Sequence, residues 1–147
     1  MKRTQPKPPS VPTGPCTIGE AAEASGVSAK MIRHYESIGL IPSAARTEGN
    51  YRLYSASDVH RLRFIKRARS LGFPMKQIET LLGLWADPTR SSREVKTLAL
   101  SHAAELDARI REMVDMRDTL TDLARQCRGD SRPDCPILAG LADAGTP

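Results

Sequence analysis

The stretch Ile18-Gly19-Glu20-Ala21-Ala22-Glu23-Ala24-Ser25-Gly26, then Val27 and Ser28-Ala29-Lys30-Met31-Ile32-Arg33-His34-Tyr35-Glu36, decides the fold. It reads as two short helices around a glycine turn. Gly26 stops the first, because glycine enters the left-handed region that ends helices without a Cβ penalty. Ser28 is an N-cap for a second helix over 29–38, and Gly39 stops that one. Two short helices joined in this way are the sequence form of a helix-turn-helix. The second helix carries Lys30, Arg33, His34 and Tyr35. Such side chains grip phosphates or read base edges, so they are expected DNA contacts, with Thr17 ahead of the first helix.

Moving outward, residues 42–55 suit a small hairpin with Gly49-Asn50 at its tip, since both residues tolerate positive φ. Arg46, Tyr51 and Arg52 flank that tip and are expected to lie against a phosphate backbone as a wing. Ser55-Ala56-Ser57-Asp58 is a capping-box start for a helix to Leu71 that buries Val59, Leu62, Phe64 and Ile65. Its other face carries Arg61, Arg63, Lys66, Arg67 and Arg69, the last a further expected DNA contact. Gly72 ends it, and Pro74 opens the next helix, which runs to about Trp85.

From about Ser92 to about Gln126 the chain has neither Pro nor Gly. A helix of that length is a rod on the order of 50 Å. Ala99, His102, Leu106, Ile110, Met113, Arg117, Leu120 and Ala124 step by three and four, a heptad seam broken at His102 and Arg117. One such stripe cannot bury itself, so an antiparallel coiled-coil homodimer is expected. The alternative is a helix packed on its own N-terminal module.

Charge divides the chain. Residues 1–75 hold 12 Lys/Arg against 5 Asp/Glu, and residues 76–147 hold 10 against 12. A basic first half beside a mildly acidic second half suits a polyanion-binding module joined to an effector module. Aromatics are only 4% of the 147 residues, which favours a helical core of aliphatic side chains. Pro6, Pro8, Pro9, Pro12 and Pro15 make residues 1–15 an expected disordered arm. That arm has Lys2, Arg3 and Lys7 but no apolar run like a secretory signal, and no stretch is long and apolar enough to span a membrane. Three cysteines without a disulfide framework then point to the cytoplasm. No Ser/His/Asp set, carboxylate pair or phosphate loop suggests an enzyme.

Two of those cysteines enclose the loop Cys127-Arg128-Gly129-Asp130-Ser131-Arg132-Pro133-Asp134-Cys135, and Pro136 can start a short helix behind it. Asp134 or Cys135 is then at a helix N-terminus, where free N–H groups favour negative charge. Zinc usually takes four ligands, and the loop offers no His and no third Cys. Cu(I), Ag(I) and Au(I) are soft and accept thiolates, so Cys127 and Cys135 are candidate ligands for a monovalent ion. A reversible disulfide or an inert loop remains open on spacing alone. Cys16 reads as incidental.

Together, helix-turn-helix, wing, second helix pair, long helix and cysteine loop resemble the MerR family of dimeric transcription activators. The resemblance rests on residues 28–36 with Gly39-Leu40-Ile41, on Tyr51-Arg52-Leu53-Tyr54, and on Arg69-Ser70-Leu71-Gly72-Phe73. It spans roughly 17–141 and is similar above all to the copper- and gold-sensing group (CueR, HmrR, GolS, CupR). What it implies is a mainly α protein in four parts: arm 1–15, winged helix-turn-helix 16–88, dimerisation helix 89–126, and metal loop with tail 127–147. It implies promoter DNA, a second copy and RNA polymerase as partners, and efflux or detoxification genes as targets. Cu(I) is the leading ion, with Au(I) or Ag(I) as alternatives. Ser92 stands where divalent-ion sensors of the family carry a third cysteine, and Lys96 is placed to neutralise an anionic site. The chain departs from the family at Gly49-Asn50, where Asn-Gly is usual, and at His34, where an aromatic is usual. Pro133, before Asp134, is shared with the gold-sensing relative.

Overall fold

The computed structural model describes residues 10–143. The chain divides into two compact units, one up to Ser91 and one from Ser92.

In the first unit, α1 (Ile18–Ser25) starts at a reciprocal capping box between Thr17 and Glu20 and ends at Gly26, whose φ is 75°. Helix α2 (Ala29–Ser37) follows, with the Ser28 hydroxyl accepting the Met31 N–H at 3.2 Å. Gly39 then takes φ 80° and turns the chain into the buried pair Leu40 and Ile41. The hairpin pairs β1 (Ala45–Arg46) with β2 (Arg52–Leu53), antiparallel, with Ala45 opposite Leu53. The positive φ at its tip falls on Asn50, at 64°, and not on Gly49. Gly49 has a different constraint: a Cβ there would lie 3.2 Å from the Tyr51 ring.

Cys16 has a structural place in the first unit. It is 2% exposed and exchanges two 2.8 Å backbone hydrogen bonds with Tyr54, extending the sheet by one bridge. Burial, with the charges of Glu20 and Asp58 behind it, pushes its thiol above the ordinary range. Most of the expected arm lies outside the described residues; of its described end, Val11 packs half-buried on the core.

Helix α3 (Ala56–Ser70) has a capping box between Ser55 and Asp58 and buries Val59, Leu62 and Ile65 completely. Each such side chain contributes about 1.5–3 kcal/mol by leaving water. Gly72 at φ 82° and Pro74 set the bend into α4 (Met75–Ala86), which buries Ile78 and Leu82. Phe64 of α3 is only half-buried, because it stacks on Trp85 at 4.9 Å rather than entering the core.

In the second unit, α5 (Ser92–Gln126) is one uninterrupted helix of 35 residues. His102 is its one buried residue among those described. Ile110, Met113 and Leu120 of the heptad seam are each more than half exposed in the single chain. Helix α6 (Pro136–Ala142) closes the unit, with Cys135 at its N-cap and Pro136 in its first turn. No described helix is long and apolar enough to cross a membrane.

Candidate DNA-binding face and cysteine site

On the first unit, α2 and the wing converge. Thr17, Arg33, Arg46, Tyr51 and Arg52 line one shallow cleft of about 270 Å³. Five expected DNA contacts, three of them guanidinium groups, therefore share one surface. Lys30, His34 and Arg69 are exposed outside that cleft. The Arg46 guanidinium donates to the Asn50 side chain at 3.0 Å, which orients it along the wing. Tyr51 is 73% exposed at the wing tip.

Glu36 joins the two elements, and sequence reasoning did not single it out. One carboxylate oxygen accepts the Ala44 N–H at 3.1 Å; the other accepts the Tyr54 hydroxyl at 2.9 Å and faces Arg52 at 3.6 Å. Burial, then the bond to Glu36, raises the Tyr54 hydroxyl above its ordinary pKa. The available signal was a lone carboxylate at the end of a basic recognition segment.

Tyr35 requires a correction. Its ring is 2% exposed, so it belongs to the core and does not project as a surface reader. Its hydroxyl instead accepts a 2.8 Å bond from the Arg69 guanidinium, linking α2 to the end of α3. Other α3 cations hold the helix-turn-helix corner. The Arg63 Nε donates to the Ala24 carbonyl at 2.8 Å, near the negative end of α1. Lys66 covers Gly26 so closely that a Cβ there would meet its Nζ.

On the second unit, the chain leaves α5 at Cys127, reverses through Gly129 at φ 63°, and re-enters a helix at Pro136. Asp130 stiffens the reversal by accepting the Arg132 N–H at 3.0 Å. The reversal brings the two cysteines to the same end of the unit, Cys127 just past α5 and Cys135 at the N-cap of α6. The Leu138 N–H, then the Ile137 N–H and the Cys127 thiol, hold the Cys135 sulfur below the usual thiol range, against the opposing effect of burial. Among the described residues no group of three or more His, Cys, Asp or Glu could hold a metal ion. Ser92 and Lys96 sit at the far end of α5, about 50 Å along the helix from Cys127, so one chain does not bring them to its own cysteines.

Known proteins resemble both units. Residues 16–84 match the model of the MerR HTH family regulatory proteins, and residues 59–123 match the MerR DNA-binding model. The HTH-type transcriptional regulator HmrR of Sinorhizobium medicae is 56% identical over 128 residues, 87% of each chain. Heavy metal-dependent transcription regulator 2 of Rhizobium meliloti is 56% identical over 86% of each chain. Among solved structures, the regulator PbrR691 of Ralstonia metallidurans in complex with lead(II) is 35% identical. It superposes with a TM-score of 0.75 over 86% of this chain and 99% of its own.

Replacing Glu36 with Ala removes the shared acceptor between α2 and the wing and leaves the half-buried Ala44 N–H without it. Thermal and urea unfolding are expected to show a loss of about 1–3 kcal/mol, with Tyr54→Phe losing less. An E36A variant as stable as the unmodified protein would show that this junction carries no weight.

Proposed function

The chain belongs to the MerR family of helix-turn-helix transcriptional regulators, which are not enzymes, and from that premise we propose that it is a metal-responsive activator sensing a soft monovalent ion through Cys127 and Cys135. Cu(I) is the leading ion, and Au(I) or Ag(I) are the alternatives. The observation that carries this reading is a pair of thiols across one reversal, Cys127 at the end of α5 and Cys135 at the N-cap of α6, where the Leu138 and Ile137 N–H groups lower its pKa. A monovalent ion between two thiolates leaves a net charge of −1, which those N–H groups stabilise; soft divalent ions generally recruit further ligands. The serine at position 92 agrees, since the family resemblance places a third thiol there in divalent-ion sensors. The lead(II) complex is a property of PbrR691 and is not transferred.

The protein is proposed to act as a homodimer on promoter DNA. Ile110, Met113 and Leu120, each exposed in one chain, supply a seam for a second α5. The dimer sets two recognition helices in successive major grooves, with Arg46, Tyr51 and Arg52 on flanking phosphates. It also carries Ser92 and Lys96 of each chain to the loop of the other. Ion binding orders the loop, shifts the two DNA-binding units and distorts the promoter for RNA polymerase. Distortion of this kind costs several kcal/mol, roughly what differential ion affinity for two dimer states can supply.

The placing of two cysteines across one reversal also supports a second reading, a thiol switch. There, exchange with a small disulfide moves two electrons and yields an intrachain Cys127–Cys135 disulfide and two small thiols. Anaerobic titration of the reduced protein with Cu(I) against a competing chelator separates the readings. One ion per chain is expected, with Cys127→Ser weakened by about a hundredfold or more, as for loss of one of two strong ligands. Equal binding by the two proteins would overturn the metal reading. For the dimer, Ile110→Glu places an unpaired carboxylate in the seam and is expected to give monomers by sedimentation equilibrium. A persistent dimer would move the interface elsewhere.

A further inference from the structure

Helix α6 carries a glycine that its backbone does not need. Gly140 lies inside the helix and has no left-handed φ. Glycine there weakens a helix by about 0.5–1 kcal/mol relative to alanine. Its surroundings supply the reason. A Cβ at position 140 would sit 2.6 and 3.2 Å from the two methyl groups of Leu123 on α5. A side chain at 140 would therefore require the Leu123 methyl groups to move.

This contact lies one turn from the cysteine pair on both sides. Leu123 precedes Cys127, the first residue past α5, by four positions, so it lies about one helical turn before that cysteine. Gly140 follows Pro136 by four and Ile137 by three, so these share a face of α6. Pro136 and Ile137 are half-buried, whereas Leu138 and Leu141 on the other side are each about two-thirds exposed. The Leu123–Gly140 contact thus lies next to the reversal that carries the cysteines, between the same two helices. It bears on how α6 sits, and α6 holds Cys135 at its N-cap.

We propose that Gly140 is a positioning residue for the ion site: its missing side chain lets α6 seat against Leu123 at the spacing that brings the Cys127 and Cys135 sulfurs together. This rests on the two-cysteine reading above. A larger residue at 140 either displaces Leu123 or lifts α6, and the second outcome parts the sulfurs. Alanine and leucine both favour helix more than glycine does, so a purely local helical role predicts no loss from either.

The test uses full-length protein with Gly140→Ala, Gly140→Leu, Leu123→Ala and the swap Leu123→Ala/Gly140→Leu, with far-UV circular dichroism as a check on folding. Two readouts are taken. One is Cu(I) affinity by chelator competition under anaerobic conditions. The other needs no metal: the thiol–disulfide equilibrium of the Cys127–Cys135 pair in a glutathione buffer, in which one glutathione disulfide is consumed and two glutathiones released per intrachain disulfide. Gly140→Leu is expected to weaken both by about 10–100-fold, the range of changes that reorient a ligand without removing it. Gly140→Ala should weaken them less, and the swap should recover most of the loss. A folded Gly140→Leu variant with unchanged readouts, or a swap that recovers nothing, overturns the proposal. If Gly140→Leu is neutral while Cys127→Ser abolishes binding, only the role of Gly140 falls. If Cys127→Ser binds Cu(I) like the unmodified protein, the two-cysteine reading falls and this inference with it.

Discussion

Between Gln126 and Pro136 the chain has to turn back on itself, and the chemistry of the second unit depends on that reversal. A 35-residue helix delivers Cys127 at its end, and the helix itself holds no other cysteine. The second sulfur arrives because Gly129 enters the left-handed region and Asp130 ties back to Arg132, which lets α6 begin beside the end of α5. Once α6 is seated, Cys135 stands at its N-cap, where the Leu138 and Ile137 N–H groups favour the thiolate. A site with two sulfurs and fixed dipoles around one of them then follows, and that combination suits a bound anion of low charge.

The first unit depends on α3 in a comparable way. One face of that helix forms the core with Val59, Leu62 and Ile65. From the other, Arg63 reaches the end of α1, Lys66 covers the glycine turn, and Arg69 reaches Tyr35. These cations tie α1, the glycine turn and α2 to α3, and Glu36 ties the wing to α2. The basic surface and the scaffold that positions it are therefore built partly from the same residue types. A high content of basic residues alone cannot say which arginine touches DNA and which holds the corner.

That division explains what could be read from the sequence. The ends of α1, α2, α3 and α5 were legible because each is marked locally, by Thr17, Gly26, Ser28, Gly39, Ser55 or an absence of Pro and Gly. The cysteine loop and the start of α6 at Pro136 were legible for the same reason. Features made by residues distant in sequence were not. The Cys16–Tyr54 bridge has no period or motif, the burial of Tyr35 follows from how α2 packs, and the role of Glu36 needs the wing folded beside it. Gly140 looks like an ordinary helix defect until Leu123 is seen opposite. At the wing tip, composition identified the two residues that tolerate positive φ, but not that Asn50 would be the one to adopt it.

X-ray absorption at the copper edge of the Cu(I)-loaded, reduced protein tests the two-sulfur site most directly. Two sulfur neighbours, with no nitrogen or oxygen in the first shell, is the predicted result. A third ligand of any kind, or a single sulfur, would contradict a site made by Cys127 and Cys135 alone.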